Sequence, residues 1–426
     1  MTAKNSMDRI GIRVALAVFV GLVADGTDLQ MLSLALPSLT KELHLSNVMA
    51  GALGTYTLLG MAGGGFFGGW AADRFGRVRV TFWAIVSFTI GTVGLAFTHG
   101  YFQFALIRFV SGLGLGALYS IGNVLAAEYV PAKIRTTVLG MLQAGWSVGY
   151  VVAALLSTVI LPRYGWRPLF VCAIAPGLVC VWLLHGVKDP ASWFAARAEL
   201  RASGRKQNEY ATIWRDRVTR RMFLLWCATC IALQFGYYGA TTWLPSYLVK
   251  DLGVDLKNMA WYMAATYTFM ILGKVLAGYL ADLTSRRRMW VVTGIATAVA
   301  VPLIMALATP ASVAYLLLLF GLLYGAPYAI LATYMSESFA TSIRGTAMAT
   351  AYAIGRAGAT ISPLMIGFAA THYSITSGIG LLGISYAICG LIPGFFIAEQ
   401  VFDPTAITAV SSVETAPPAR TEAAGT

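Results

Sequence analysis

Gly69-Trp-Ala-Ala-Asp73-Arg74-Phe-Gly76-Arg77-Val-Arg79 closes one long apolar run, and Gly278-Tyr-Leu-Ala-Asp282-Leu-Thr-Ser-Arg286-Arg287-Arg288 closes another 209 residues later. A glycine, an acid and two arginines return in one register. The same offset pairs Gly64 with Gly273, Gly112 with Gly321, Gly116 with Gly325, Glu128 with Glu337, Arg135 with Arg344 and Gly149 with Gly358. Leu36-Pro37-Ser38 recurs one residue out of step as Leu244-Pro245-Ser246. Chance does not align so many charges and glycines, so the chain is a duplication. It divides into a first half, 1–186, a basic linker, 187–221, a second half, 222–398, and a tail, 399–426, whose Ala, Thr, Pro and Glu content predicts disorder.

The 426 residues are 58% hydrophobic and 11% charged, with a mean hydropathy of +0.71. Soluble domains carry about 25% charged residues. Apolar runs of about 20 residues, each able to cross roughly 30 Å of hydrocarbon, recur along the chain. They fall near 11–35, 48–70, 78–98, 102–124, 137–160, 168–186, 222–245, 259–281, 289–309, 312–335, 346–369 and 374–398. The expectation is an all-α membrane protein of twelve transmembrane helices, six in each of two pseudo-symmetric halves.

A net charge of +12 raises nucleic acid as a partner, but its placement argues otherwise. With both termini in the cytoplasm, most of the 30 Lys and Arg fall in cytoplasmic segments, and the external loops hold Lys41, Arg163, Arg167, Lys250 and Lys257. That bias is the positive-inside rule. The basic charge therefore reads as topology, with no nucleic-acid partner.

Metal and redox chemistry find little support. Cys172, Cys180, Cys227, Cys230 and Cys389 all fall within apolar runs, and Cys227-x-x-Cys230 has no companion pair. His44, His99, His185 and His372 form no ligand cluster. Gly273-Lys274 is followed by Val inside a span, so it is no phosphate loop, and no cofactor is expected. The polar start, Met1 to Arg13, runs into a segment too long for a cleavable signal.

Charges inside the spans narrow the search. Asp25, Asp28, Arg108, Lys274 and Arg356 lie there, and a charge at the bilayer centre costs at least about 2.5–3.5 kcal/mol. Such residues face a cavity or a partner. None is repeated: the offset sets Asp25 against Gln234, Asp28 against Tyr237, Arg108 against Leu317, Lys274 against Gly65 and Arg356 against Ser147. Residues shared by both halves serve the scaffold, so these unshared ones are the candidates for function. Asp25 and Asp28, three residues apart, are expected near one helix face, where two close acids take up protons as a pair. Arg108 keeps its charge and needs a carboxylate, from Asp25, Asp28 or a substrate. Lys274 and Arg356 suit a substrate carboxylate. Aromatics near the expected cavity are Tyr119, Trp146, Tyr150, Tyr237, Tyr238, Trp243, Tyr267, Tyr324 and Tyr328. Packing explains most of them; Tyr237, Tyr238 and Trp146 are expected to line a ring-sized site.

The stretch from Gly69 to Arg79 resembles the signature between helices 2 and 3 of the major facilitator superfamily. Gly69 allows close helix approach, Gly76 permits a tight turn, and Asp73 can cap the next helix. Arg108-Phe-Val-Ser-Gly112-Leu-Gly114-Leu-Gly116 resembles the family's helix 4 element, whose arginine is tied to proton coupling. Glu128 with Arg135, echoed by Glu337 with Arg344, looks like the acid–base element that matches the Gly69 to Arg79 signature. The resemblance implies gating by Asp73, Arg74, Arg77, Glu128, Arg135, Asp282, Glu337 and Arg344, and a substrate site between two halves that rock. Asp25-Gly-Thr-Asp28 resembles the helix 1 signature of the aromatic acid:proton symporters, and Lys188-Asp-Pro190-Ala-Ser-Trp193 a degraded element of related porters. Span 5 lacks the Gly-Pro dipeptide of drug:proton antiporters.

The resulting expectation is a monomeric, proton-coupled importer of a small organic anion, an aromatic or related unsaturated carboxylate. Its partners are the anion, protons and the bilayer, in a plasma membrane, the inner one in a bacterium. The alternatives are a proton-coupled drug or metabolite antiporter, and a transporter-like sensor.

Overall fold

The computed structural model describes residues 7–45, 47–202, 208–254, 256–310, 312–373 and 375–399, and their regular structure is helical. Of the tail expected at 399–426, only Glu399 is described; the expected disorder lies outside the described residues.

The first half comprises α1 (Arg9–Glu42), α2 (Asn47–Phe75), α3 (Arg77–Leu95), α4 (Tyr101–Tyr129), α5 (Arg135–Tyr164), and a rod broken at Cys172 and Ala173 into α6 (Arg167–Val171) and α7 (Ile174–Leu184). The linker carries α8 (Ala191–Ala202) and α9 (Glu209–Arg215). The second half comprises α10 (Arg217–Lys250), α11 (Leu256–Leu283), α12 (Arg286–Leu307), a rod of α13 (Val313–Tyr324) and α14 (Ala326–Glu337), then α15 (Arg344–His372) and α16 (Ile375–Phe396). Gly325 and Pro327 break that rod; proline has no amide to continue the ladder.

Among the described residues, 10 stretches are long and apolar enough to cross a membrane. α2 and α15 have 29 residues each, also long enough to cross roughly 30 Å at 1.5 Å per residue.

The duplication is visible in the packing. α1 lies along α5 as α10 lies along α15, and α2 lies on α4 as α11 lies on α13 and α14. The halves meet where α2 touches α15 and α11 touches α5. Repeated glycines let the backbones close at this seam. A methyl on Gly69 would sit 2.6 Å from the Gly345 carbonyl oxygen, and one on Gly278 would sit 2.6 Å from that of Thr136.

Candidate functional site

Asp25-Gly26-Thr27-Asp28 lies midway along α1, and each residue has a separate task. Gly26 exists for close approach: a methyl there would meet the Trp146 carbonyl oxygen of α5 at 2.2 Å, as one on Gly149 would meet Val23's. Thr27 Oγ1 donates to the Gly149 carbonyl at 3.1 Å and to the Val23 carbonyl at 2.7 Å, so its side chain ties α1 to the backbone of α5.

Asp28 turns into the first half. Its Oδ2 accepts from Arg108 Nη1 at 2.8 Å, and its Oδ1 from Thr92 Oγ1 at 2.8 Å. Arg108 Nε donates to Thr57 Oγ1 at 3.0 Å. The four residues come from α1, α2, α3 and α4, and all are buried. The offset maps Thr92 onto Val301 and Arg108 onto Leu317, and these line a wholly apolar void with Ala240, Ile304 and Phe320. Two members of the polar cluster thus give way to hydrocarbon in the other half, while Thr57 keeps a threonine, Thr266, and Asp28 gives way to Tyr237.

Asp25 faces the seam instead. It lines a narrow cavity with Lys274 of α11, Arg356 of α15, Trp146 of α5 and Tyr237 and Tyr238 of α10. The structure thus gathers every expected binding residue around one space, and adds Met61, Tyr119, Tyr328 and Tyr352. It also gives the two aspartates separate surroundings, although they lie near one helix face. Three residues of helix leave them about 60° apart, enough to give them different neighbours. Lys274 Nζ donates to the Gln143 carbonyl at 3.1 Å and to Ser147 Oγ at 3.4 Å, and lies 6.0 Å from the centre of the Tyr328 ring. Arg356 lies 5.7 Å over the Tyr352 ring. Ring pairs cross the seam: Tyr119 stacks with Tyr352 at 4.6 Å and Tyr150 with Tyr267 at 4.8 Å, and Trp146 stands edge-on to Tyr237 at 6.1 Å.

The end of the bundle that carries the arginine-rich turns is closed by a second buried cluster. Arg77 bonds Asp73 at 2.7 Å and Glu128 at 2.6 Å. Arg344 reaches across the seam to Glu128 at 3.0 Å, and Arg135 reaches back to Glu337 at 2.8 Å. Arg286, outside the expected gating set, lies 3.4 Å from Asp282 and 3.7 Å from Glu337.

Asp73 does not cap the helix that follows it. It accepts from the amides of Gly345 at 3.1 Å and Thr346 at 2.6 Å, so it caps α15 of the opposite half. Asp282 caps α5 in the same way, through the amides of Thr136 at 3.1 Å and Thr137 at 2.6 Å. The helix after Asp73 takes its cap from Asp189 of the linker, which accepts from the Val78 amide at 2.7 Å. Burial raises the Asp189 carboxyl above its ordinary range, and the Val78 amide opposes the rise. Trp193 Nε1 donates to the Asp73 carbonyl at 3.1 Å, so the linker holds both sides of this turn. Arg74 stands apart from the cluster, exposed and 5.5 Å over the Trp70 ring.

Thr57, Thr92 and Tyr352 are site residues that sequence reasoning does not single out. The offset carries a faint signal for Thr92 alone, whose counterpart Val301 is apolar.

Comparison with known proteins places this geometry. The chain matches the family model described as Major Facilitator Superfamily over residues 18–341 and 248–422. It is 49% identical over 410 residues to the cis,cis-muconate transport protein of Acinetobacter baylyi, covering 95% of this chain and 99% of that one. It is 28% identical over 366 residues to a gentisate transporter of Corynebacterium glutamicum, covering 84% and 81%. A solved proton:xylose symporter superposes with a TM-score of 0.78 at 19% identity, covering 93% of this chain and 98% of that chain.

Proposed function

The chain belongs to the Major Facilitator Superfamily, and from that premise we propose that this membrane transporter imports a small aromatic or unsaturated carboxylate together with protons. One observation carries the reading. The seam cavity holds two buried cations, Lys274 and Arg356, one buried acid, Asp25, and a lining of aromatic rings. Rings offer a planar conjugated acid a stacking surface, and cations meet its carboxylate through charge-assisted hydrogen bonds. A dicarboxylate engages both cations at once. The names of the muconate and gentisate relatives support that class.

In this reading α2 and α15 complete twelve spans, and both chain ends lie in the cytoplasm with the arginine-rich turns. The Asp73, Arg77, Glu128 and Arg344 cluster and its counterpart of Arg135, Asp282 and Glu337 then form the cytoplasmic gate, shut in this state. Asp25, Asp28 and Arg108 couple protons to transport. Protonation from outside loads the carrier, the anion docks on Lys274 and Arg356, and the halves rock to break the gate. The transporter works as a monomer in the plasma membrane, the inner membrane of a bacterium.

The test is uptake of labelled cis,cis-muconate and benzoate into proteoliposomes. An alkaline lumen drives accumulation above equilibrium, and a protonophore abolishes it. Accumulation indifferent to the pH gradient contradicts the coupling; no uptake of any carboxylate contradicts the substrate class.

A further inference from the structure

The two aspartates of α1 are bonded very differently. Asp28 has a partner on each carboxylate oxygen, Thr92 on one and Arg108 on the other. Asp25 has none: both its oxygens are buried without a hydrogen-bond partner among the described residues. Arg356 is in a matching condition, with Nε and Nη1 buried and without partners there. Both line the one cavity, from opposite halves. Arg356 and Asp25 bring opposite charges to this space, and Asp28 carries a like charge three residues along α1.

A buried carboxylate without hydrogen bonds is costly, and so is a buried guanidinium. Each offsets the other's charge while leaving the other's bonding sites open. A substrate carboxylate entering the cavity meets the free guanidinium nitrogens and supplies the charge that Asp25 was supplying.

We propose that Asp25 is a built-in stand-in for the substrate: it neutralises Arg356 in the empty carrier, gives that cation up to the incoming carboxylate, and then binds the proton that crosses with it. The charges balance. The empty site holds one carboxylate, one guanidinium and the Lys274 ammonium. The loaded site holds the substrate carboxylate, the same two cations and a neutral acid. The added proton comes from the water on the substrate's side, and any second substrate carboxylate falls to Lys274. Asp28 has a separate part as a positioning residue, holding Arg108 against Thr57 and keeping α1 and α4 in register. The inference rests on the cavity being a carboxylate site, and it divides a coupling role otherwise shared by both acids.

The surrounding groups fit. Those facing Asp25 from other elements are Tyr119 and Arg108 of α4, Tyr237 and Tyr238 of α10, and Lys274 of α11. Tyr328 of α14 and Tyr352 of α15 complete the set, with Asp28 on α1 itself. Tyrosines hold their protons at working pH, since their ordinary value is about 10. Arg108 is engaged by Asp28, and Lys274 by Gln143 and Ser147. Asp25 is the acid whose ionisation the substrate's charge opposes directly.

Purified wild type, Asp25→Asn and Asp28→Asn are titrated with cis,cis-muconate in weak buffer, with proton uptake followed by an indicator dye and affinity by calorimetry as pH is lowered. The wild type is expected to take up one proton per anion bound, its affinity strengthening about tenfold per pH unit over the linked range. Asp25→Asn binds without proton uptake and with affinity indifferent to pH, while Asp28→Asn keeps the uptake. Uptake retained in Asp25→Asn, or lost in Asp28→Asn but not in Asp25→Asn, overturns the proposal. So does wild-type binding without proton uptake, a result that needs no variant to fold. A wild type that binds neither cis,cis-muconate nor benzoate at any pH sinks the reading of the cavity itself, which separates the two failures.

Discussion

Arg135 of α5 bonds Glu337 of α14 across the seam at 2.8 Å, and the duplication returns the contact from the other side, Arg344 on Glu128 at 3.0 Å. Asp73 and Asp282 repeat the pattern in the caps they place on α15 and α5. Closure of the arginine-rich end is thus one device built twice, with each half supplying acids to the other's helix termini. Opening that end must break both copies.

Neutralising one copy should loosen the closure. Asp73→Asn weakens a charge-assisted set in which single bonds contribute about 1.5–3 kcal/mol, a shift of roughly tenfold or more toward the open arrangement. Spin labels at the arginine-rich ends of α4 and α15 should show a longer-distance population by pulsed electron resonance, and Asp282→Asn should move it the same way. Distance distributions identical to wild type would rule out the latch.

The backbone contact between α1 and α5 makes a contrasting prediction about glycines. Gly26→Ala and Gly149→Ala each drive a methyl into backbone at 2.2 Å, so each should cost about 1–3 kcal/mol and lower the melting temperature. Gly54→Ala meets nothing within 4 Å and should leave it unchanged. Equal melting temperatures for all three would refute the close approach.

Two members of the first half's polar cluster can be converted stepwise to their apolar counterparts in the second half. Thr92→Val removes one hydrogen bond from the charged Asp28 and should cost about 1.5–3 kcal/mol. Arg108→Leu leaves Asp28 buried with no counter-ion and should cost about 3–5 kcal/mol. Chemical denaturation in detergent orders the two, and the reverse order would mean that Arg108 does not neutralise Asp28.

The architecture is legible in the sequence because two independent signals agree, the apolar runs and the constant offset from Asp73 to Asp282. The five intramembrane charges are legible for an energetic reason: hydrocarbon tolerates a charge only beside a cavity or a partner. Asp25, Lys274 and Arg356 meet at one cavity, and Arg108 meets Asp28. The choice between the two aspartates is not legible, since about 60° of helix rotation decides it and the deciding neighbours, Thr57, Thr92 and Arg108, lie far off in sequence. Asp73 misleads for a related reason. Its nearest helix in sequence is α3, but the packing of the halves sets it against the amides of α15. Tyr352 escapes notice because one more aromatic in an apolar run carries no signal of its own.

Lys274 makes the substrate's second charge testable. If it holds one carboxylate while Arg356 holds the other, Lys274→Gln should weaken a dicarboxylate by about tenfold or more, the worth of a charge-assisted bond. A monocarboxylate such as benzoate should lose less. Competition binding measures both, and equal losses would place both ligands on the same cation.

Coupled import is tested most directly by the proton itself. Proteoliposomes with a pH-sensitive dye in the lumen, no imposed gradient and the membrane potential clamped, receive cis,cis-muconate outside. Symport carries protons inward with the anion, so the lumen acidifies, and Asp25→Asn removes the signal. A lumen that turns alkaline, or one that does not change while labelled substrate enters, contradicts the account.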